Sequence, residues 1–156
     1  MRRVILSMAL GVIPFGAPSA HAQTEAPSVS IESCIAAAGA SNVALQACKG
    51  RVSEPCLERP GGETTAGAGM CFVAEEAAWT AQLNAALARA QTDTTRASFL
   101  ARSQEAWRAW REAECRYQAS LYEGGSLSRV IAANCVADLT ADRAIALLYA
   151  ERTADH

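Results

Sequence analysis

Residues 95–126 read TRASFLARSQEAWRAWREAECRYQASLYEGGS, and this stretch decides the fold. Glycine and proline clusters are far apart and β-branched runs are few, the composition of a long helix. Phe99, Ala106, Trp110, Ala113 and Tyr117 recur at helical spacing and make one apolar face, with Leu100, Trp107 and Leu121 beside it. The spacing predicts a helix from about Thr95 to Tyr122 with its tryptophans packed in a core. Glu123-Gly124-Gly125-Ser126 ends it: glycine permits a left-handed exit, and Ser126 is able to cap the next helix.

Similar patterns lie on both sides. Upstream, from about Met70 to Ala90, Phe72, Trp79, Leu83, Ala86 and Ala90 form a single stripe, and Thr92-Asp93-Thr94 breaks it and can cap the helix beyond. Downstream, Leu127, Val130, Ile131 and Cys135 are followed by Ala144, Ile145 and Leu148. That region is either one bent helix or two, with Thr140 capping the second. Nearer the amino end, a short helix carries Cys34 and stops near Gly39. A second comes after Ser41-Asn42, bears Leu45 and Cys48, and runs no further than about Glu54, because Pro55 disfavours the helical conformation before it. Arg59-Pro60-Gly61-Gly62 is a turn, and Thr64 to Gly69 is small, flexible or weakly helical. The expected fold is all-α: a small helical bundle of about three longer helices with a disulfide-linked N-terminal helical cap.

The first residues have another purpose. Arg2 and Arg3, the short apolar run Val4 to Val12, breakers at Pro14, Gly16 and Pro18, and then Ala20-His21-Ala22 make a secretory signal peptide cleaved near Ala22. The run is too short to span a bilayer, and no later stretch is long and apolar enough. The first cysteine, Cys34, lies well past the cleavage point, so no lipid anchor is expected. The expected organisation is a signal peptide over 1–22, a disordered lead over 23–30, a cysteine-rich extension over 31–69 and a helical domain over 70–156. The mature protein belongs in the periplasm or outside the cell.

Removing 22 of the 156 residues leaves enough chain for one domain with a core of its own. Formal charge moves from −2 to −4, because two of the 14 basic residues and none of the 16 acidic ones are lost. A mildly acidic chain with one lysine, Lys49, is a poor candidate for nucleic acid or anionic lipid, and it attracts a basic partner modestly.

All six cysteines, Cys34, Cys48, Cys56, Cys71, Cys115 and Cys135, survive processing. An even count in an exported chain favours disulfides. Zinc is the weaker reading: there is no Cys-x-x-Cys pair, and His156 is the only histidine left once His21 is gone. Geometry favours one bridge. Cys115 lies nine residues before Gly124 and Cys135 nine after Ser126, so each sits roughly 13 Å from the turn and level with the other in an antiparallel hairpin. Short hairpins favour Cys34–Cys48 and Cys56–Cys71 among the three connectivities open to the other four.

Glu76-x-x-Trp79-x-x-x-Leu83-Asn84, then Ser103-Gln104-x-x-Trp107-x-x-x-Arg111-x-x-x-Cys115, then Tyr122-Glu123-Gly124-Gly125-Ser126, Cys135 and Leu139-Thr140-x-x-Arg143 form an ordered string. It resembles the lysozyme-inhibitor LprI-like domain, a helical module of exported bacterial proteins, over about Glu75 to Tyr149. The resemblance implies a periplasmic or surface protein that blocks lysozyme. No counterpart of the named member's lipid-attachment cysteine or further C-terminal domain is expected here.

No catalytic residue is expected. A serine or cysteine nucleophile needs a nearby base, and only His156 is on offer. Glu75, Glu76, Glu105, Glu112 and Glu114 suggest a glycosidase pair, but Glu105, Arg108, Arg111 and Glu112 sit at the spacing of solvated helix-face ion pairs. Trp107-Arg108-Ala109-Trp110-Arg111 would suit stacking on single-stranded nucleic acid; core packing is the better reading. Asn84 and Gln104 fit helix–helix hydrogen bonds.

The candidate partner-binding residues are Tyr122, Glu123, Gly124, Gly125 and Ser126. Two glycines let backbone approach a partner; Glu123 suits the basic surroundings of a lysozyme cleft, and Ser126 suits a hydrogen bond to a catalytic carboxylate. The expected partner is lysozyme or another basic envelope protein, with no cofactor and no metal. The rival is an envelope-associated interaction module with a different partner and no effect on lysozyme.

Overall fold

The computed structural model describes residues 30–92 and 94–154. The signal peptide, the lead up to residue 29, Asp93 as a cap and His156 lie outside the described residues. Among those described, the elements are α1 (Ile31–Ala38), α2 (Asn42–Gln46), α3 (Ser53–Leu57), α4 (Thr65–Ala90), α5 (Thr94–Ser120) and α6 (Leu127–Thr153), with no strand.

Three helix starts are fixed by hydroxyl caps. Ser30 accepts the Ser33 N–H, Ser41 the Ala44 N–H and Thr64 the Gly67 N–H, each satisfying one of the donors a helix leaves unpaired at its first turn. The Thr64 cap starts α4 five residues before Met70, so the expected weakly helical stretch is its first turn. Close packing holds that turn: a methyl group at Gly67 would fall on the Gly61 carbonyl oxygen. Pro55 does not stop a helix but sits inside the first turn of α3, where its missing N–H costs nothing. The single second helix expected up to Glu54 is thus two short helices joined by turns.

α4 and α6 form the centre. They run parallel: Arg89 Nε meets Glu151 Oε1 at 2.7 Å near one end, and Thr65 and Ser126 line one groove at the other. Alanines in the shared core, Ala86 on α4 and Ala141 and Ala144 on α6, let the backbones approach. Trp79, Leu83, Ile145 and Leu148 fill the space between the pair and the cap, which contributes Ile31, Ile35 and Leu45. Each such side chain contributes about 1.5–3 kcal/mol by leaving water.

α6 is continuous. Thr140 is not a cap: it is fully buried, and its hydroxyl donates to the Val136 carbonyl at 2.6 Å. The bridges are Cys34–Cys48, Cys56–Cys71 and Cys115–Cys135, so the connectivity that spacing left open is that of the short hairpins.

α5 lies against α6 and scarcely touches α4, and its expected face is overturned. Phe99 is 66% exposed, Trp110 51%, Tyr117 61% and Leu121 64%; Ala106 and Ala113 are exposed as well. The buried side is mixed: Gln104 and the disulfide-bonded Cys115 are buried, with Leu100, Trp107 and Arg111 half-buried. With α4 and α6 already covering one another, only one side of α5 finds a neighbour.

Candidate functional site

Residues 122–126 connect the α5–α6 hairpin. The Tyr122 and Glu123 N–H groups close the end of α5 on the Ala119 and Ser120 carbonyls, and the Gly125 N–H reaches the Tyr122 carbonyl at 3.3 Å. Gly124 takes φ +82°, a left-handed conformation that side chains disfavour. Ser126 occupies the cap position of α6 without a side-chain cap bond, which leaves its hydroxyl at the surface. All five residues are exposed. Behind them, Ser128 Oγ donates to the Ala119 carbonyl at 3.0 Å, and Cys115–Cys135 fastens the two helices further down.

Beside this turn lies a groove of about 560 Å³ between the first turns of α4 and α6. Met70 and Val73 stand exposed along it, and the small residues Ala66, Gly69 and Ala77 line it together with Ser126 and Arg129. The sequence signal for it, small residues at helical spacing from Ala66 to Ala77, becomes visible only once α4 is known to start at Thr65.

Most motif residues gather elsewhere, where α5 crosses α4 and α6. Arg111 Nη1 donates to Thr140 Oγ1 at 2.6 Å, lies 3.9 Å from Glu76 Oε1 and stacks 4.9 Å above the Trp107 ring. Glu76 also accepts from Thr80 Oγ1. Arg143 Nε donates to Gln104 Oε1 at 2.9 Å and its Nη2 to Ser103 Oγ at 3.0 Å; burial lowers the Arg143 pKa from its ordinary value. Gln104 thus makes the expected helix–helix bond. Asn84 does not; it is exposed at the edge of this cleft. Trp107 is half-buried, whereas Trp110 lies outside the core expected to hold it.

The remaining carboxylates are placed one by one. Glu112 pairs with Arg116 at 3.5 Å along α5, and Glu114 accepts from Gln118 Nε2 at 2.9 Å; Glu105 is exposed. Glu75 is only 4% exposed and accepts four N–H donors: Gly50 and the Trp79 indole on Oε1, Val52 and Ser53 on Oε2, at 2.7 to 2.9 Å. A carboxylate so occupied orients a turn and has no free lone pair directed at a reactant.

Sequence reasoning missed two further polar anchors. Lys49 bridges Asp138 and Asp142 on α6 at 2.5 and 2.9 Å. Desolvation works to lower its pKa, but the two aspartates outweigh that and hold it above the usual lysine value. Arg152, near the end of α6, donates to the Ile35 and Gly39 carbonyls at the end of α1. In both cases the partners are about ninety or more residues apart, beyond any local pattern.

A family model described as Lysozyme inhibitor LprI matches residues 56–147. No curated protein and no solved structure matches the chain. The matched span begins at Cys56 and takes in α4, α5, the turn and most of α6.

Proposed function

The chain belongs to the lysozyme inhibitor LprI family, and on that premise we propose that it is an exported binding protein that blocks lysozyme by forming a stoichiometric complex, without turnover. The family match over most of the three long helices carries this reading. Three disulfides fit an oxidising compartment, and among the described residues no helix is long and apolar enough to cross a membrane.

The contact surface in this proposal is the turn from Tyr122 to Ser126. It protrudes between two helices joined by a bridge, so little ordering entropy is lost when it enters a cleft. Glu123 supplies charge for a basic enzyme, Ser126 a free hydroxyl for a carboxylate, and Tyr122 an aromatic surface. The groove that Ser126 helps to line offers Met70 and Val73 to an apolar side chain of the partner. The deciding experiment is titration of the oxidised protein into lysozymes of several types while cell-wall lysis is monitored. Loss of lysis at near-equimolar inhibitor supports the proposal; full activity at micromolar excess against every type rejects it.

A further inference from the structure

We infer a second site, a cleft between α4 and α5 that binds a single sugar ring through its hydroxyls. Both helices pack on α6 but scarcely on one another, so they part and leave about 220 Å³ between them. That lies below the roughly 300–1,000 Å³ of sites for drug-sized ligands and suits one ring. Every residue lining the cleft comes from these two helices. Glu76, Thr80 and Asn84 follow at four-residue intervals along α4, about 6 Å apart. Gln104, Trp107, Arg108 and Arg111 bring one stripe of α5 to the same cleft.

These groups are held in place without being used up. Arg111 is fixed by Thr140 Oγ1 at 2.6 Å and lies over the Trp107 ring at 4.9 Å, and Thr80 donates to Glu76 Oε1. Among the described residues Glu76 Oε2 receives no hydrogen bond and Asn84 has no hydrogen-bond partner. Arg108 makes only a 3.5 Å contact, from Nε to the Gln104 carbonyl of its own helix. An acceptor, an amide that both donates and accepts, and a cationic fork of donors therefore line one small space. That mixture selects the occupant. A carboxylate or phosphate needs donors alone and would meet Glu76; a cation would meet Arg108 and Arg111. A hydroxyl donates and accepts at once, so a ring with several adjacent hydroxyls satisfies all three kinds of group. Leu83 and Leu87 add apolar surface for its C–H face. Because Arg111 is already pinned, little ordering entropy is lost on binding. Asn84, which makes no helix–helix bond, gains its partner from the ligand.

The test is saturation-transfer NMR on the oxidised protein with glucose, N-acetylglucosamine and glucuronate, since one ring binds with a Kd on the order of 1 mM. At least one sugar receives transfer, and their ranking identifies the ring substituent the cleft prefers. Asn84→Ala with Arg108→Ala weakens binding roughly tenfold or more while Tm stays in place, because both side chains are exposed. Trp110→Ser leaves binding unchanged, which separates the cleft from the tryptophan exposed elsewhere on α5. No transfer to any of the three sugars overturns the inference. So does binding undiminished by the Asn84 and Arg108 changes, binding lost with Trp110→Ser, or displacement of the sugar by an equal concentration of acetate, which makes a bare carboxylate sufficient. No lysozyme is present, so this outcome is independent of the inhibition assay.

Discussion

Glu75 accepts the Trp79 indole N–H at 2.8 Å one turn along α4, and with the same carboxylate gathers three backbone N–H groups from residues 50–53. A core residue of α4 is thereby joined to the segment that leads into α3. Glu75→Gln replaces one acceptor oxygen by an NH₂ that faces donors. At least one buried N–H loses its partner, and stability falls by about 2 kcal/mol or more. Denaturant unfolding monitored by tryptophan emission measures this; a change below about 0.5 kcal/mol, the range of an ordinary surface substitution, contradicts the structural role.

The Lys49 bridge gives a pH dependence. Its folded-state pKa lies above its ordinary 10.5, so its contribution is complete below that value and disappears as the pH rises past the folded value. Both aspartates are well exposed, which limits the contribution to about 0.5–1 kcal/mol. Lys49→Met therefore unfolds more easily than the parent at pH 8. In alkaline titrations of unfolding free energy the two proteins converge. A constant gap across that range excludes the bridge as its cause.

Removing Cys115–Cys135 by a double serine substitution costs about 2–4 kcal/mol, and the loss is uneven. α5 depends on α6, so its amides exchange hydrogen sooner than those of α4. Uniform loss of protection across α4, α5 and α6 counts against a peripheral α5.

Gly124 and Gly125 are separable by alanine. At Gly124, with φ +82° and open space around a new methyl group, the cost is backbone strain alone, about 1 kcal/mol. At Gly125 a methyl group makes only ordinary contacts, the nearest at 3.6 Å, and stability stays put. Equal melting temperatures for the two variants contradict the turn geometry.

Glu123→Ala with Ser126→Ala tests the proposed contact surface. Inhibition weakens about tenfold or more without a shift in Tm, since both side chains are exposed. Undiminished inhibition moves the interface off this turn.

How far the sequence can be read depends on the range of each interaction. Trp79, Leu83 and Ala86 repeat within one helix, so their burial is legible locally. The α5–α6 hairpin is legible because Gly124 supplies a turn and Cys115 and Cys135 lie equally far from it. Periodicity misleads at Phe99, Trp110 and Tyr117. It shows that apolar residues share a side of α5, but says nothing about whether another helix is left to cover that side. Glu75 is hidden for a related reason: its backbone donors lie 22 to 25 residues upstream, in a turn whose shape no residue type announces. The position of one cap, Thr64, obscures the groove at Met70 and Val73.

The bridges join neighbours in the order of the cysteines, first to second, third to fourth and fifth to sixth. Six cysteines admit fifteen complete pairings, and this one demands no threading of one loop through another. A chain oxidised as it emerges amino end first meets each correct partner before the next cysteine arrives. Oxidation during emergence then needs an electron acceptor far more than it needs an isomerase to undo mistakes.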